Sequence, residues 1–63
     1  MDNTIHDRRK ALGLSQEELA RRCGVSRQTV NAIENRKYDP TLALAFWLDW
    51  QLGTTVDELF RPA

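Results

Sequence analysis

The sequence is short of the residues from which catalytic, metal and disulfide sites are made. It has one cysteine, Cys23, and one histidine, His6, in 63 residues. No internal disulfide can form and no Cys/His pair stands at zinc-ligand spacing, so we expect no metal centre and no cofactor. With a lone histidine, a lone cysteine, no glycine-rich phosphate loop and no converging carboxylates, the expectation is a protein that is not an enzyme. Long apolar runs are missing too, none approaching the roughly eighteen residues of a membrane span. The opening MDNTIHDRRK carries acids early and has no apolar stretch of the signal-peptide kind. We therefore expect a cytoplasmic protein with no membrane partner. Cys23 reads as a small buried hydrophobe, and His6 as an exposed residue of a first helix.

Net charge is also absent, nine cations balancing nine acids. Its distribution is uneven. Residues 1–37 hold Arg8, Arg9, Lys10, Arg21, Arg22, Arg27, Arg36 and Lys37 against Asp2, Asp7, Glu17, Glu18 and Glu34, a balance of +3. Residues 38–63 hold Arg61 against Asp39, Asp49, Asp57 and Glu58, a balance of −3. The basic half is the candidate contact surface for a polyanion. A chain this short buries only about 60% of the surface its unfolded form exposes, so its core is marginal and pairing with a second copy would help it. The 63 residues are expected to form a single domain, 1–63.

What the chain does have is clear helix punctuation. Ser15-Gln16-Glu17-Glu18 has the form of a capping box, in which the serine hydroxyl and the glutamate carboxylate satisfy backbone amides at a helix start. Leu19, Ala20 and Cys23 follow at helical spacing, and Gly24 supplies a left-handed stop. Ser26 is placed to cap a next helix, whose Val30 and Ile33 share one face and which ends near Asn35. Ile5 to Leu12 reads as an earlier helix stopped at Gly13. Thr41 caps a fourth, Leu42 to Leu52, closed by Gly53, and Thr55-Val56-Asp57-Glu58 opens a short fifth. No segment alternates as a strand would. The expected architecture is all-α, a compact five-helix domain with a central helix-turn-helix.

Between Gln16 and Asn35 the pattern is mechanical. Ala20 must be small where the second helix crosses it, Gly24 must take a positive φ, and Leu19, Val25, Val30 and Ile33 fix the angle between the two helices. With GLSQEELA at 13–20, GVSRQTV at 24–30, IEN at 33–35, LALA at 42–45 and LGTTVDELF at 52–60, the sequence resembles the phage repressor and Cro-type helix-turn-helix family over about Ile5 to Phe60. The resemblance implies a repressor-like fold and a transcriptional regulator that meets double-stranded DNA in the major groove. Gln16 matches a glutamine that contacts a phosphate and braces the recognition helix. Ser26, Arg27, Gln28 and Thr29 match the start of that helix, with Asn31 and Ala32 one turn on. Arginine can bond bidentately to guanine and glutamine to adenine, while an alanine can meet a thymine methyl. Asn35, Arg36 and Lys37 fall where the family contacts the sugar-phosphate backbone. Arg9 and Glu34 match a structural ion pair.

Three positions depart from the family pattern. Arg8 stands where an apolar residue is usual, so either its stem covers the core or the first helix is rotated. Arg36 replaces a common glycine. Asp49 replaces a small apolar residue. The fourth helix is apolar on two sides. Leu44, Ala45, Leu48 and Leu52, with Leu42 at the margin, make the core face, while Ala43, Phe46, Trp47 and Trp50 make another. Phe46, Trp47 and Trp50 are the expected homodimer contact. A monomer whose tryptophans fold back toward Phe60, or a regulatory protein of antitoxin type that takes another protein on this helix, are the alternatives.

Overall fold

The computed structural model describes residues 1–61. In chain order the elements are β1 (Asp2–Asn3), α1 (Ile5–Ala11), α2 (Gln16–Cys23), α3 (Arg27–Glu34), α4 (Leu42–Gln51), α5 (Val56–Leu59) and β2 (Phe60–Arg61). None of these helices is long and apolar enough to cross a membrane.

Four helices start on a hydroxyl residue in extended backbone. Ser15, Ser26, Thr41 and Thr55 each accept a hydrogen bond from the amide three residues on, at 3.0 to 3.3 Å. The two capping boxes are closed on one side only. The Glu18 carboxylate turns to Arg21 and Arg22, and the Glu58 carboxylate takes the Thr54 hydroxyl. A charge-assisted bond to a guanidinium is stronger than one to a neutral amide, and the Ser15 amide can be satisfied by water at this exposed turn.

Helix α2 ends in a left-handed turn at Gly24, φ 70°, where the Val25 amide reaches back to the Ala20 carbonyl. Helix α3 ends the same way without a glycine. Arg36 takes φ 62°, and the Lys37 amide donates to the Ala32 carbonyl at 2.9 Å. The turn normally given to glycine is thus kept by the backbone hydrogen bond, at some conformational cost to the arginine.

Ile5 of α1, Leu19 and Ala20 of α2, Val30 and Ile33 of α3, Leu44, Ala45 and Leu48 of α4, and then Leu52, Leu59 and Phe60 form one buried cluster. Leu42, expected at the margin of this face, is 69% exposed. As the first residue of α4, its side chain points back past the end of the core. Cys23 is only half-buried, and that burial pushes its thiol pKa up.

The short strands were not expected. β1 and β2 pair antiparallel, Asp2 opposite Arg61 and Asn3 opposite Phe60. Two residues are too few to establish a period of two, and their pairing is non-local, so no sequence pattern announces them. The chain remains all-α in class. The ribbon has a positional effect: the Asn3 side-chain amide donates to the Ile33 carbonyl at 2.8 Å, tying the first residues to the end of α3.

Candidate nucleic-acid interface

Helices α2 and α3 cross with Ala20 buried between them, and Val25 in the turn packs on the same cluster. α3 buries Val30 and Ile33 and turns its other side outward. Arg27, Gln28, Asn31 and Asn35 are exposed along it, Thr29 and Ala32 are half-buried at its edge, and Arg36 and Lys37 are exposed just beyond it. The Ser26 hydroxyl is occupied by its cap and by the Thr29 hydroxyl at 3.0 Å. Asn31 accepts from Asn35 at 3.1 Å.

Arg9, Glu34 and Gln16 lock α3 in place. Arg9 Nε lies 2.8 Å from Glu34 Oε2 and its Nη2 3.3 Å from Oε1, while Nη1 donates to the Leu14 carbonyl at 2.8 Å. Gln16 Nε2 donates to Glu34 Oε1 at 3.0 Å, and Asn31 donates to Gln16 Oε1 at 3.4 Å. One glutamine therefore bridges the buried ion pair and the outer face of α3. Burial alone would raise the Glu34 pKa; the hydrogen bonds from Arg9 and Gln16 and the Arg9 charge outweigh it, and the carboxyl sits below its ordinary value. His6, exposed as expected, also joins this network, with Nδ1 3.2 Å from Arg9 Nη2 and 3.4 Å from Glu34 Oε1. A lone surface histidine gave no sign of that contact, because its partners come from α1 and α3 together.

Arg27, Gln28 and Lys37 have no side-chain hydrogen bond or ion pair among the described residues, whereas Arg36 is paired with Asp2 at 2.9 Å. Arg27 and Gln16 border an open notch of about 580 Å³ together with Lys10 and Glu17. In sequence Lys10 stands only as one more cation of the basic half; the packing of α1 beside the start of α2 brings it to this notch. The geometry is that of a rigid helix carrying free amide and guanidinium groups outward, the form needed to enter a DNA groove as a unit.

The helix-turn-helix family pattern matches residues 5–59. The chain belongs to the Cro/C1-type helix-turn-helix family. It is 45% identical over 60 residues to a protein of Methanocaldococcus jannaschii described as an uncharacterized HTH-type transcriptional regulator, covering 95% of this chain and 91% of that one. A protein of Methanothermobacter thermautotrophicus with the same description is 46% identical over 61 residues, covering 95% and 88%. Among solved structures, the restriction-modification controller protein C.AhdI from Aeromonas hydrophila superposes with a TM-score of 0.81 at 34% identity, over 89% of this chain and 85% of that one. A hypothetical transcription factor from Neisseria gives a TM-score of 0.84 at 34% identity, over 94% of this chain and 66% of that one. The protein is thus a transcriptional regulator with a helix-turn-helix DNA-binding domain.

In this helix-turn-helix regulator the three departures from the family pattern are accommodated locally. Arg8 is half-buried, donating to Thr4 Oγ1 at 3.0 Å with Glu58 3.7 Å away, so it ties α1 to α5. Arg36 adopts the glycine turn, and Asp49 is half-buried on α4. Away from α3, the outer side of α4 carries Phe46, Trp47 and Trp50 at 55%, 46% and 71% exposure. The two indoles stack with centroids 5.4 Å apart. Neither tryptophan is buried against Phe60, which lies in the core.

Proposed function

We propose that this regulator binds a palindromic operator in double-stranded DNA as a homodimer and represses transcription there, acting in the cytoplasm as a single domain spanning residues 1–63. The observation that carries the reading is the free outer edge of α3, where Arg27 and Gln28 have no side-chain partner among the described residues. Arg27 reads a guanine through O6 and N7, Gln28 an adenine through N6 and N7, and Ala32 meets a thymine methyl. Ser26, Thr29 and Asn31 line the same edge. Gln16, Asn35, Arg36 and Lys37 contact the sugar-phosphate backbone and fix the register without reading sequence. Gln16 can do so while bracing Glu34, because a side-chain amide has two N–H donors. The Arg9–Glu34 pair is structural, holding α1 against α3.

The homodimer rests on α4. Phe46, Trp47 and Trp50 exposed together make an apolar patch on the order of several hundred Å², of the size that marks an interaction site on a soluble protein. A two-fold contact through them covers the patch and sets two recognition helices about 34 Å apart, one turn of DNA. Selection of bound duplexes from random sequence, at stated salt, tests the whole reading: an inverted repeat of two half-sites one turn apart is expected. Recovery of unrelated sequences with no shared half-site overturns it. A reporter downstream of the selected site then separates repression from activation.

A further inference from the structure

Of the three cations on the proposed DNA face, Arg27, Arg36 and Lys37, only Arg36 holds an anion among the described residues. Its Nη1 lies 2.9 Å from Asp2 Oδ1. Both ends of this bridge are anchored by the fold. The Asp2 backbone is paired with Arg61 in the terminal ribbon, and the neighbouring Asn3 side chain is bonded to the Ile33 carbonyl at the end of α3. Arg36 is held in its left-handed turn by the bond from the Lys37 amide to the Ala32 carbonyl. The pair stands in solvent, bordering an open cavity of about 390 Å³ that Asn3, Thr4 and Arg61 also line. A phosphate can therefore reach Arg36 without dismantling packed structure. The Asp2 side chain has no other partner among the described residues.

We propose that Asp2 is an internal counterion that competes with a DNA phosphate for Arg36 and so lowers the affinity of the protein for any duplex. The inference rests on the reading of Arg36 as a phosphate contact given above. When a free arginine neutralises a phosphate, the condensed cation on the DNA is released, which contributes about 0.9 to the slope of log affinity against log salt. When the arginine must first leave Asp2, the freed carboxylate takes up a cation in exchange, and that contribution is largely cancelled. Asp2 thus trims the sequence-independent part of binding and leaves base reading by Arg27 and Gln28 untouched. Each competing genomic site is held less tightly as a result.

The test uses the full chain and a mixed-sequence duplex, with affinity measured from about 50 to about 200 mM salt. Asp2→Asn is expected to bind about two- to fivefold tighter, the range set by an exposed ion pair, and to steepen the salt slope by up to about one. Asp2→Glu keeps the charge and is expected to behave as the parent. Arg36→Ala is expected to bind more weakly, and adding Asp2→Asn to it is expected to change nothing further. Thermal melting of Asp2→Asn confirms that the fold is kept. An equal gain from Asp2→Asn with and without Arg36 overturns the proposal, because the carboxylate then acts only through its charge at long range. No gain in the parent background overturns it as well, while the DNA reading stands. A parent chain that binds no duplex even at the lowest salt overturns both.

Discussion

Replacing Arg9 by alanine tests the lock between α1 and α3 most directly. The substitution removes both guanidinium bonds to Glu34 and the bond to the Leu14 carbonyl. Glu34 is left with Gln16 and His6, its side chain only 4% exposed. Removing one partner of a buried ion pair costs about 3–5 kcal/mol, since the other charge stays desolvated. At about 0.05–0.15 kcal/mol per residue, a chain of this length has roughly 3–9 kcal/mol of stability in total. Arg9→Ala is therefore expected to consume a large part of it and to be partly unfolded at 37 °C. The pH dependence has a definite sign. In the parent, the Glu34 pKa lies below its ordinary 4.5 in the folded state, so its contribution is present above that pH and is lost as pH falls through the lower folded value. Without Arg9, two of the influences that lower the pKa are gone while burial, which raises it, remains, so the folded Glu34 pKa moves up from its parent value. Acidification through the ordinary carboxylate range should then narrow the stability gap between Arg9→Ala and the parent. Adding Glu34→Gln to Arg9→Ala should recover part of the loss, because the unpaired charge is gone. Urea unfolding of the parent and both variants at neutral and mildly acid pH measures all of this. An Arg9→Ala protein as stable as the parent, with the same pH dependence, would refute the argument.

Three further outcomes are expected. Arg27→Ala and Gln28→Ala should each cost about 1–3 kcal/mol at the selected operator and relax the choice at one base pair, while Lys37→Ala weakens all sequences alike; binding arrays of point-varied duplexes distinguish the two patterns. Trp47→Glu should be monomeric in sedimentation at tens of micromolar where the parent is dimeric. A folded parent that is already monomeric without DNA removes the homodimer and leaves the aromatic face to another protein. Ser26→Ala should lower stability by about 0.5–2 kcal/mol in urea unfolding through loss of the α3 cap, and an unchanged midpoint would mean that solvent replaces the hydroxyl without loss.

The sequence by itself determined the local elements, because their causes are local. A hydroxyl at Ser15, Ser26, Thr41 and Thr55 caps the amides of its own next turn, and the apolar spacing of α2 and α3 identifies their inner faces whatever lies across from them. The family pattern, carried on the same residues, named the fold and the class of function. Where sequence reasoning failed, a nearer competitor had taken a group or residues far apart in the chain had met. Glu18 had a backbone amide within reach and took two arginines instead. The β1–β2 ribbon pairs residues from opposite ends of the chain and leaves no periodic trace. His6 reaches the buried pair only because α1 lies against α3. Arg36 reads in sequence as one more free cation beside Lys37, and tertiary structure alone sets Asp2 against it. Which charges are free to meet a partner depends on where the rest of the chain puts their counterions, and that is settled by packing.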